Sequence, residues 1–172
     1  MSKERRHPQV VNLDEVEART QLTGTRFGGV MKGLTAPTGA KGIGCSHYEI
    51  DPSRAAFPFH FHCANEESMF VLEGEGTLRI GKDTVPVRAG DYISFPIGPD
   101  HAHQLKNTGS TKLKYLCFST MSTAEVVGYP DSKKIGAAAS PSYEVAMRGG
   151  HWLRFIGFQS STAGYYDGED VG

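Results

Sequence analysis

The stretch that decides the fold is Pro58-Phe59-His60-Phe61-His62-Cys63-Ala64-Asn65-Glu66-Glu67. Side chains alternate between the two faces of a β-strand, so His60 and His62 point to the same side, roughly 6–7 Å apart along the strand. Two imidazoles at that spacing can converge on one ion. A polar turn follows, and Glu67 opens the next predicted strand, where its carboxylate can supply a third ligand. Imidazole together with carboxylate suits Mn, Fe, Co, Ni or Zn.

The residues around this stretch are typical of an all-β domain. Glycine occurs 21 times in 172 residues, and glycines and prolines separate short apolar runs. Residues 71–80, for example, predict a strand, a glycine-containing turn and a second strand. The first predicted strands lie near 27–35, 42–50, 54–62 and 67–73, and others follow as far as Ser119.

The region after residue 120 has a less regular pattern. Residues 125–129 could form a short strand or a turn. Residues 137–142 are small and are predicted to be poorly ordered. Residues 152–158 are apolar enough to pack back on the domain or to cross to a neighbouring subunit.

The two histidines are part of a longer sequence pattern. His60, His62, Glu67 and Gly74 have the spacing of the first motif of the cupin superfamily, which this sequence resembles. Arg54 stands where that motif opens with a glycine. Most isolated His-x-His pairs are incidental, so the wider motif is what favours a metal site.

The second cupin motif is matched in register by Gly90, Pro96 and Gly98. After Gly98 the match divides between two histidines. His101 has the expected distance from Gly98, whereas His103 has the expected distance to Asn107. Positions 101 and 103 share one face of a regular strand, so alternation does not distinguish them.

The sequence resembles in particular a subgroup of small bacterial cupins, and that resemblance implies His103 as the ligand. Residues 99–100 then act as a short insertion or bulge. His101 would lie beside the metal, in the channel that leads to it, or in an exposed loop. The predicted ligands of one divalent metal ion (Mn, Fe, Ni, Co or Zn) are His60, His62, Glu67 and His103.

The resemblance is close over residues 58–107 and implies an all-β double-stranded β-helix, the jelly-roll barrel of cupins. We predict an N-terminal arm over residues 1–26 and the barrel over 27–120. A C-terminal extension over 121–172 is predicted to pack on the barrel or on a partner subunit. A homodimer is expected, because small cupins generally dimerise and an apolar surface is offered by Leu116, Phe118 and the segment near Trp152.

Function is less constrained than fold, since cupins host many chemistries. The resemblance implies a metal-dependent enzyme acting on a small polar metabolite such as a sugar or sugar phosphate, as an isomerase or epimerase. A dioxygenase, a non-catalytic metal or small-ligand binding module, and a purely structural metal remain open as alternatives. No catalytic residue is assigned, although His101 or a tyrosine could act as acid or base. Candidate phosphate contacts, for which ordinary surface charge is the preferred interpretation, are Arg54, Arg79, Lys106, Arg148 and Arg154.

The composition argues against two classes of partner. A formal net charge of −1 provides no basic field for nucleic acid or anionic lipid. No apolar run approaches the ~20 residues of a membrane helix, and the charged N-terminus lacks the apolar stretch of a secretory signal. We therefore expect a cytoplasmic protein that binds neither nucleic acid nor membrane. Without a C-x-x-C pair, reduced thiols are expected at Cys45, Cys63 and Cys117.

Overall fold

The computed structural model describes residues 6–170 and residue 172. Within those residues the chain is built mainly from strands, numbered in chain order: β1 (Arg19–Thr23), β2 (Phe27–Gly33), β3 (Ile43–Ile50), β4 (Phe61–His62), β5 (Glu67–Glu73), β6 (Glu75–Ile80), β7 (Asp83–Arg88), β8 (Tyr92–Phe95), β9 (His103–Lys106), β10 (Leu113–Thr120), β11 (Ala124–Tyr129), β12 (Lys134–Ala139) and β13 (Leu153–Phe158). They are accompanied by two short helices, α1 (Thr35–Thr38) and α2 (Tyr143–Met147), and by 3-10 turns at Leu13–Glu15 and Pro99–His101. The all-β prediction is confirmed.

The strands form two layers. The first is a six-stranded antiparallel sheet in the order β1-β2-β3-β10-β5-β8. The second combines β7-β6-β9 with β4-β11-β12-β13. These two groups meet where His60 and His103 exchange backbone hydrogen bonds of 3.1 and 2.8 Å. The segment that carries the paired histidines is therefore held by β9 on one side and by β11 on the other.

The core lies between the two layers. Residues from the first layer are almost fully buried at Met69, Val71, Leu113 and Tyr115. They pack against Leu78, Val87 and Leu105 of the second layer. Burying one such large apolar side chain stabilises the fold by about 1.5–3 kcal/mol. Because alternate residues of β5 point inward, Glu67 at its start faces the interior with Met69 and Val71.

The predicted N-terminal arm takes part in the fold. Asn12 caps the 3-10 turn that follows it, and β1 lies within the arm and pairs with β2. Arg54, which replaces the opening glycine of the first motif, donates to the carbonyl oxygens of Gly24 and Phe27 at 3.1 and 2.9 Å. This guanidinium joins the β1–β2 turn to the segment that leads to the histidines.

Two sequence predictions about secondary structure are wrong. The strand expected over residues 54–62 is reduced to Phe61–His62, with isolated bridges at Ala55 and His60. Pro58 has no backbone N–H to donate, which interrupts a continuous ladder at this point. Residues 137–139, expected to be poorly ordered, belong to β12, whose backbone is paired with β11 and β13 on both sides. Small side chains do not prevent ordering when both neighbouring strands supply hydrogen bonds.

The C-terminal extension enlarges the second layer. β11 pairs with β4, and β12 and β13 follow outward. β13 forms the edge of the sheet, and its apolar side chains are exposed, as is Trp152 before it. The described residues contain no helix long and apolar enough to cross a membrane. The three cysteines are free thiols, as expected.

Candidate metal centre

Four side chains converge at the end of the barrel where β4, β5 and β9 meet. They are His60, His62, Glu67 and His103, and one ligating atom from each lies within 4.8 Å of all the others. Short-range geometry explains the convergence. His60 and His62 share a face, with ring centroids 5.0 Å apart, and the backbone pairing of His60 with His103 sets the third imidazole beside them. The structure thus brings together the four predicted residues, and metal binding by them remains a prediction.

The 3-10 turn at Pro99–His101 explains why His103, and not His101, joins this group. Gly98 precedes the turn with a φ of 110°, a conformation that favours glycine. The turn takes up the two extra residues of the second motif, so that β9 begins at His103. His101 lies in the turn, half-buried, outside the cluster. It contributes its backbone carbonyl oxygen, which lies 3.1 Å from Nδ1 of His103.

Backbone carbonyls determine the tautomers of two histidines. Nδ1 of His60 lies 2.9 Å from the carbonyl oxygen of Pro58, and Nδ1 of His103 lies 3.1 Å from that of His101. Because a carbonyl oxygen only accepts, each Nδ1 carries the proton and donates it. The Nε2 lone pair of each ring is therefore left for a ligand. Such outer hydrogen bonds are the usual means of orienting histidines toward a metal.

His62 lies between two carboxylates. Its Nε2 is 3.4 Å from Oε2 of Glu67, and its Nδ1 is 3.4 Å from Oε2 of Glu125. Glu125 belongs to β11, where Val127 lies opposite His62 in the strand pairing. The Glu125 carboxylate also accepts hydrogen bonds from the backbone N–H groups of residues 63–65 and 126, at 2.8 to 3.1 Å.

The donor set fits a divalent metal. Nε2 of His62 and Nε2 of His103 are buried and, like Nδ1 of His62, have no hydrogen-bond partner among the described residues. The Glu67 oxygen nearest to both lies 3.4 and 3.5 Å away, beyond the distance of a good hydrogen bond. Buried polar atoms without partners are rare in native proteins and call for an explanation. Three imidazoles and one carboxylate converging through such atoms match the ligands that Mn, Fe, Co, Ni and Zn accept.

The electrostatics favour the protonation states that ligands need at two of the four residues, Glu67 and His60. Burial would raise the pKa of Glu67, but the neighbouring imidazoles of His103 and His62 hold it well below its usual range. Burial, reinforced by His103 and His62, lowers the pKa of His60 to about 4. Burial also lowers the pKa of His62, yet Glu67 and Glu125 together raise it above its ordinary value. At neutral pH Glu67 is ionised and His60 is neutral, as metal ligation requires.

Aromatic groups border the site. The ring of Phe95 stacks on His103 with a centroid separation of 3.7 Å. Tyr129 of β11 stacks near His60 at 6.2 Å, on the same face of its strand as Glu125. The Lys134 ammonium of β12 lies 5.3 Å from the centre of the Tyr129 ring. Burial raises the pKa of Tyr129, so its phenol stays protonated at neutral pH.

Sequence reasoning missed Glu125, Tyr129 and Lys134. Strand alternation over residues 125–129 could have placed Glu125 and Tyr129 on one face. Nothing in that segment indicates that its neighbour is the histidine strand, because the pairing joins residues more than 60 positions apart.

Most of the basic residues that were predicted as phosphate contacts bind other groups of the protein. Arg54 binds backbone carbonyls, Arg79 forms a bidentate pair with Asp131 at 2.7 and 3.0 Å, and Arg148 pairs with Glu144. Lys106 and Arg154 are exposed. Within the part of the chain that the structure describes, no carboxylate lies within 4.0 Å of the Lys134 ammonium.

Comparison with known proteins agrees with this architecture. A family model described as a cupin domain matches residues 46–119, which include all four convergent side chains. An uncharacterised protein of Methanocaldococcus jannaschii is 33% identical over 96 residues, which are 55% of this chain and 75% of that protein. The oxalate-binding protein of Thermotoga maritima is 32% identical over 65 residues, 38% of this chain and 52% of that protein.

A similar solved structure comes from Acidithiobacillus ferrooxidans and is named as a candidate sugar phosphate isomerase. It superposes with a TM-score of 0.75 at 22% identity, over 91% of this chain and 96% of that one. At this identity the likeness shows a shared fold, and it confirms the predicted double-stranded β-helix.

Proposed function

The chain belongs to the cupin superfamily, and on that premise we propose that it is a metal-dependent enzyme that isomerises or epimerises a small polar metabolite, such as a sugar or sugar phosphate. The observation that carries the proposal is the convergence of His60, His62, Glu67 and His103 within 4.8 Å. One divalent ion held there would act as a Lewis acid and orient a chelating substrate. A cytoplasmic location remains part of the prediction.

Polar groups beside the centre favour a site that binds a substrate over a site whose metal is purely structural. The ring of Tyr129 lies 6.2 Å from that of His60, and the Lys134 ammonium lies 5.3 Å from the centre of the Tyr129 ring. The protonated phenol of Tyr129 is a hydrogen-bond donor for a substrate oxygen. The Lys134 ammonium is a contact for an anionic group such as a phosphate. The sugar phosphate named for the Acidithiobacillus protein has both kinds of group.

The first test is titration of the metal-loaded protein with a panel of aldose and ketose phosphates and the corresponding free sugars. We expect the phosphates to bind more tightly, and Lys134→Ala to weaken their binding about 10-fold, as for loss of one charge-assisted hydrogen bond. Lys106→Ala, which removes an exposed lysine of β9, is the matched control and should change nothing. Equal affinity for free and phosphorylated sugars would count against the phosphate contact.

The second test separates catalysis from binding. An isomerase or epimerase interconverts its bound substrate, and one that removes a carbon-bound proton also exchanges it with deuterated water, both visible by proton NMR. The oxalate-binding protein of Thermotoga favours a second candidate, a module that binds a small anion without turnover. Tight binding with neither interconversion nor exchange would support that module and contradict the enzyme.

We also propose that the protein is a homodimer. The outer face of the six-stranded sheet carries Leu116 and Phe118, both half-buried, beside the exposed side chains of Phe70 and Tyr92. An apolar row of this kind favours association with a second copy.

Light scattering is expected to give twice the chain mass for wild type, and the Phe70→Asp variant is expected to give half of that mass. Val85→Asp, at an exposed apolar position of the other layer, is the control. A wild-type mass of one chain would overturn the dimer.

A further inference from the structure

Glu125 stands apart from the four convergent residues. It lies outside both sequence motifs and outside the matched domain, on the strand that joins the C-terminal extension to the barrel. Its carboxylate is mostly buried, with a side-chain exposure of 13%. Burying a carboxylate is unfavourable unless its oxygens are satisfied. The contacts that satisfy them lie at the candidate metal centre.

We infer that Glu125 is a positioning residue of this centre, holding His62 with Nδ1 protonated and Nε2 directed toward the metal position. The inference rests on the proposed metal-binding function. A carboxylate only accepts hydrogen bonds, so a neutral His62 that turns Nε2 to a metal carries its proton on Nδ1, toward Glu125. Nδ1 faces Oε2 of Glu125 and Nε2 faces Oε2 of Glu67 on the other side of the ring, each across a charge contact of 3.4 Å.

The three histidines differ in how their tautomers are fixed. His60 and His103 donate from Nδ1 to backbone carbonyl oxygens, which no substitution removes. His62 faces a side chain at the equivalent nitrogen, and this makes its orientation the one that mutation can change.

The second set of contacts fixes the turn between two ligands. Oε1 of Glu125 accepts from the N–H groups of Cys63, Ala64 and Val126, and Oε2 accepts from that of Asn65. Residues 63–65 form the chain between His62 and Glu67. One carboxylate of the C-terminal extension thus orients a histidine and holds the turn that leads to the next ligand.

The informative substitution is Glu125→Gln, which keeps the shape of the side chain. Three N–H groups converge on the position of Oε1, so the remaining oxygen of glutamine is expected there. The amide nitrogen then replaces Oε2, loses the hydrogen bond from the N–H of Asn65 and can only donate toward His62. His62 would accept at Nδ1 and carry its proton on Nε2, where it blocks ligation. We expect metal affinity to fall about 10–100-fold, the usual effect of removing such an outer partner.

The experiment has two readouts on the full chain. Long-range proton–nitrogen NMR of the metal-free protein, at a pH well above the pKa of the imidazole, identifies the tautomer of His62. Competition titration with Co²⁺ or Zn²⁺ measures affinity. In metal-free wild type Nε2 also faces a carboxylate, that of Glu67, at the same distance, so we expect the His62 proton to be shared between Nδ1 and Nε2. In Glu125→Gln we expect it to move to Nε2, together with the weaker affinity. Glu66→Gln, the same change at the exposed neighbouring carboxylate of the turn, is the control and should alter neither.

The outcomes separate the two proposals. If Glu125→Gln keeps the wild-type distribution of the His62 proton and wild-type affinity, the positioning role is overturned. The same holds if affinity falls only in proportion to a loss of folded protein, measured by thermal unfolding, with the tautomer unchanged. If wild type takes up no metal although the His62 proton moves in the variant, Glu125 does orient His62 but the proposed function, and with it the role at a metal, is wrong.

Discussion

His103→Ala is expected to weaken divalent metal binding by more than about 100-fold, whereas His101→Ala should leave it near the wild-type level. The lower bound exceeds the 10–100-fold effect typical of an outer hydrogen-bond partner, because a ligand itself is removed. His103 belongs to the cluster of four, while His101 lies in the preceding 3-10 turn and contacts the site through its backbone carbonyl. Alanine at position 101 retains that carbonyl.

Elemental analysis after dialysis, followed by competition titration, measures this difference directly. His103 is 2% exposed and stacks on Phe95, so alanine at this position also leaves a cavity. His103→Leu fills the space without a ligating atom and distinguishes loss of metal from loss of packing. The choice of His103 is wrong if its variants keep full metal while His101→Ala loses it. Wild type without metal under every loading condition would contradict the metal centre itself.

The fold and part of the site could be predicted because their causes are local. Alternation along one strand places His60 and His62 on a common face, and a turn of fixed length returns the chain to Glu67. The choice between His101 and His103 needed more than alternation, since both positions share a face in a regular strand. The difference arises from the turn at 99–101, which takes up two residues before β9 begins. Spacing to Asn107 was the one local indication of it.

The parts of the site and fold that the sequence did not predict depend on which strands are neighbours. Glu125 and Tyr129 reach the histidines because β11 pairs with β4, a contact between distant parts of the chain. Alternation identifies the faces of a strand but not its partner. Residues 137–139 show the same limit, because their small side chains indicate no order until pairing on both sides supplies it. The strand predicted over 54–62 failed for the opposite reason, a local interruption at Pro58 that the apolar pattern concealed.

The asparagine of the second motif, Asn107, has a structural role in this chain. Asn107 is fully buried. Its amide donates to the carbonyl oxygens of Ile50 and Thr111, both at 2.8 Å, and accepts from the N–H of Gly109 at 3.0 Å. These three bonds join the end of β9 to β3 and to the loop before β10. None of them reaches the metal centre.

Asn107→Ala is therefore expected to lower the free energy of unfolding by about 2–4 kcal/mol, since it removes three hydrogen bonds, of which the one to the carbonyl of Ile50 is fully buried. Urea unfolding of the metal-free protein measures this loss without any contribution from metal binding. Asn107→Asp should destabilise at least as much, because a carboxylate oxygen would face the two carbonyls. Lys106→Ala, at the exposed neighbouring position, should stay within about 0.5 kcal/mol of wild type.

The folded fraction of Asn107→Ala should still bind one metal ion, because His103 is positioned through the backbone of His60 and not through position 107. A variant that is as stable as wild type but loses its metal would instead make Asn107 part of the site.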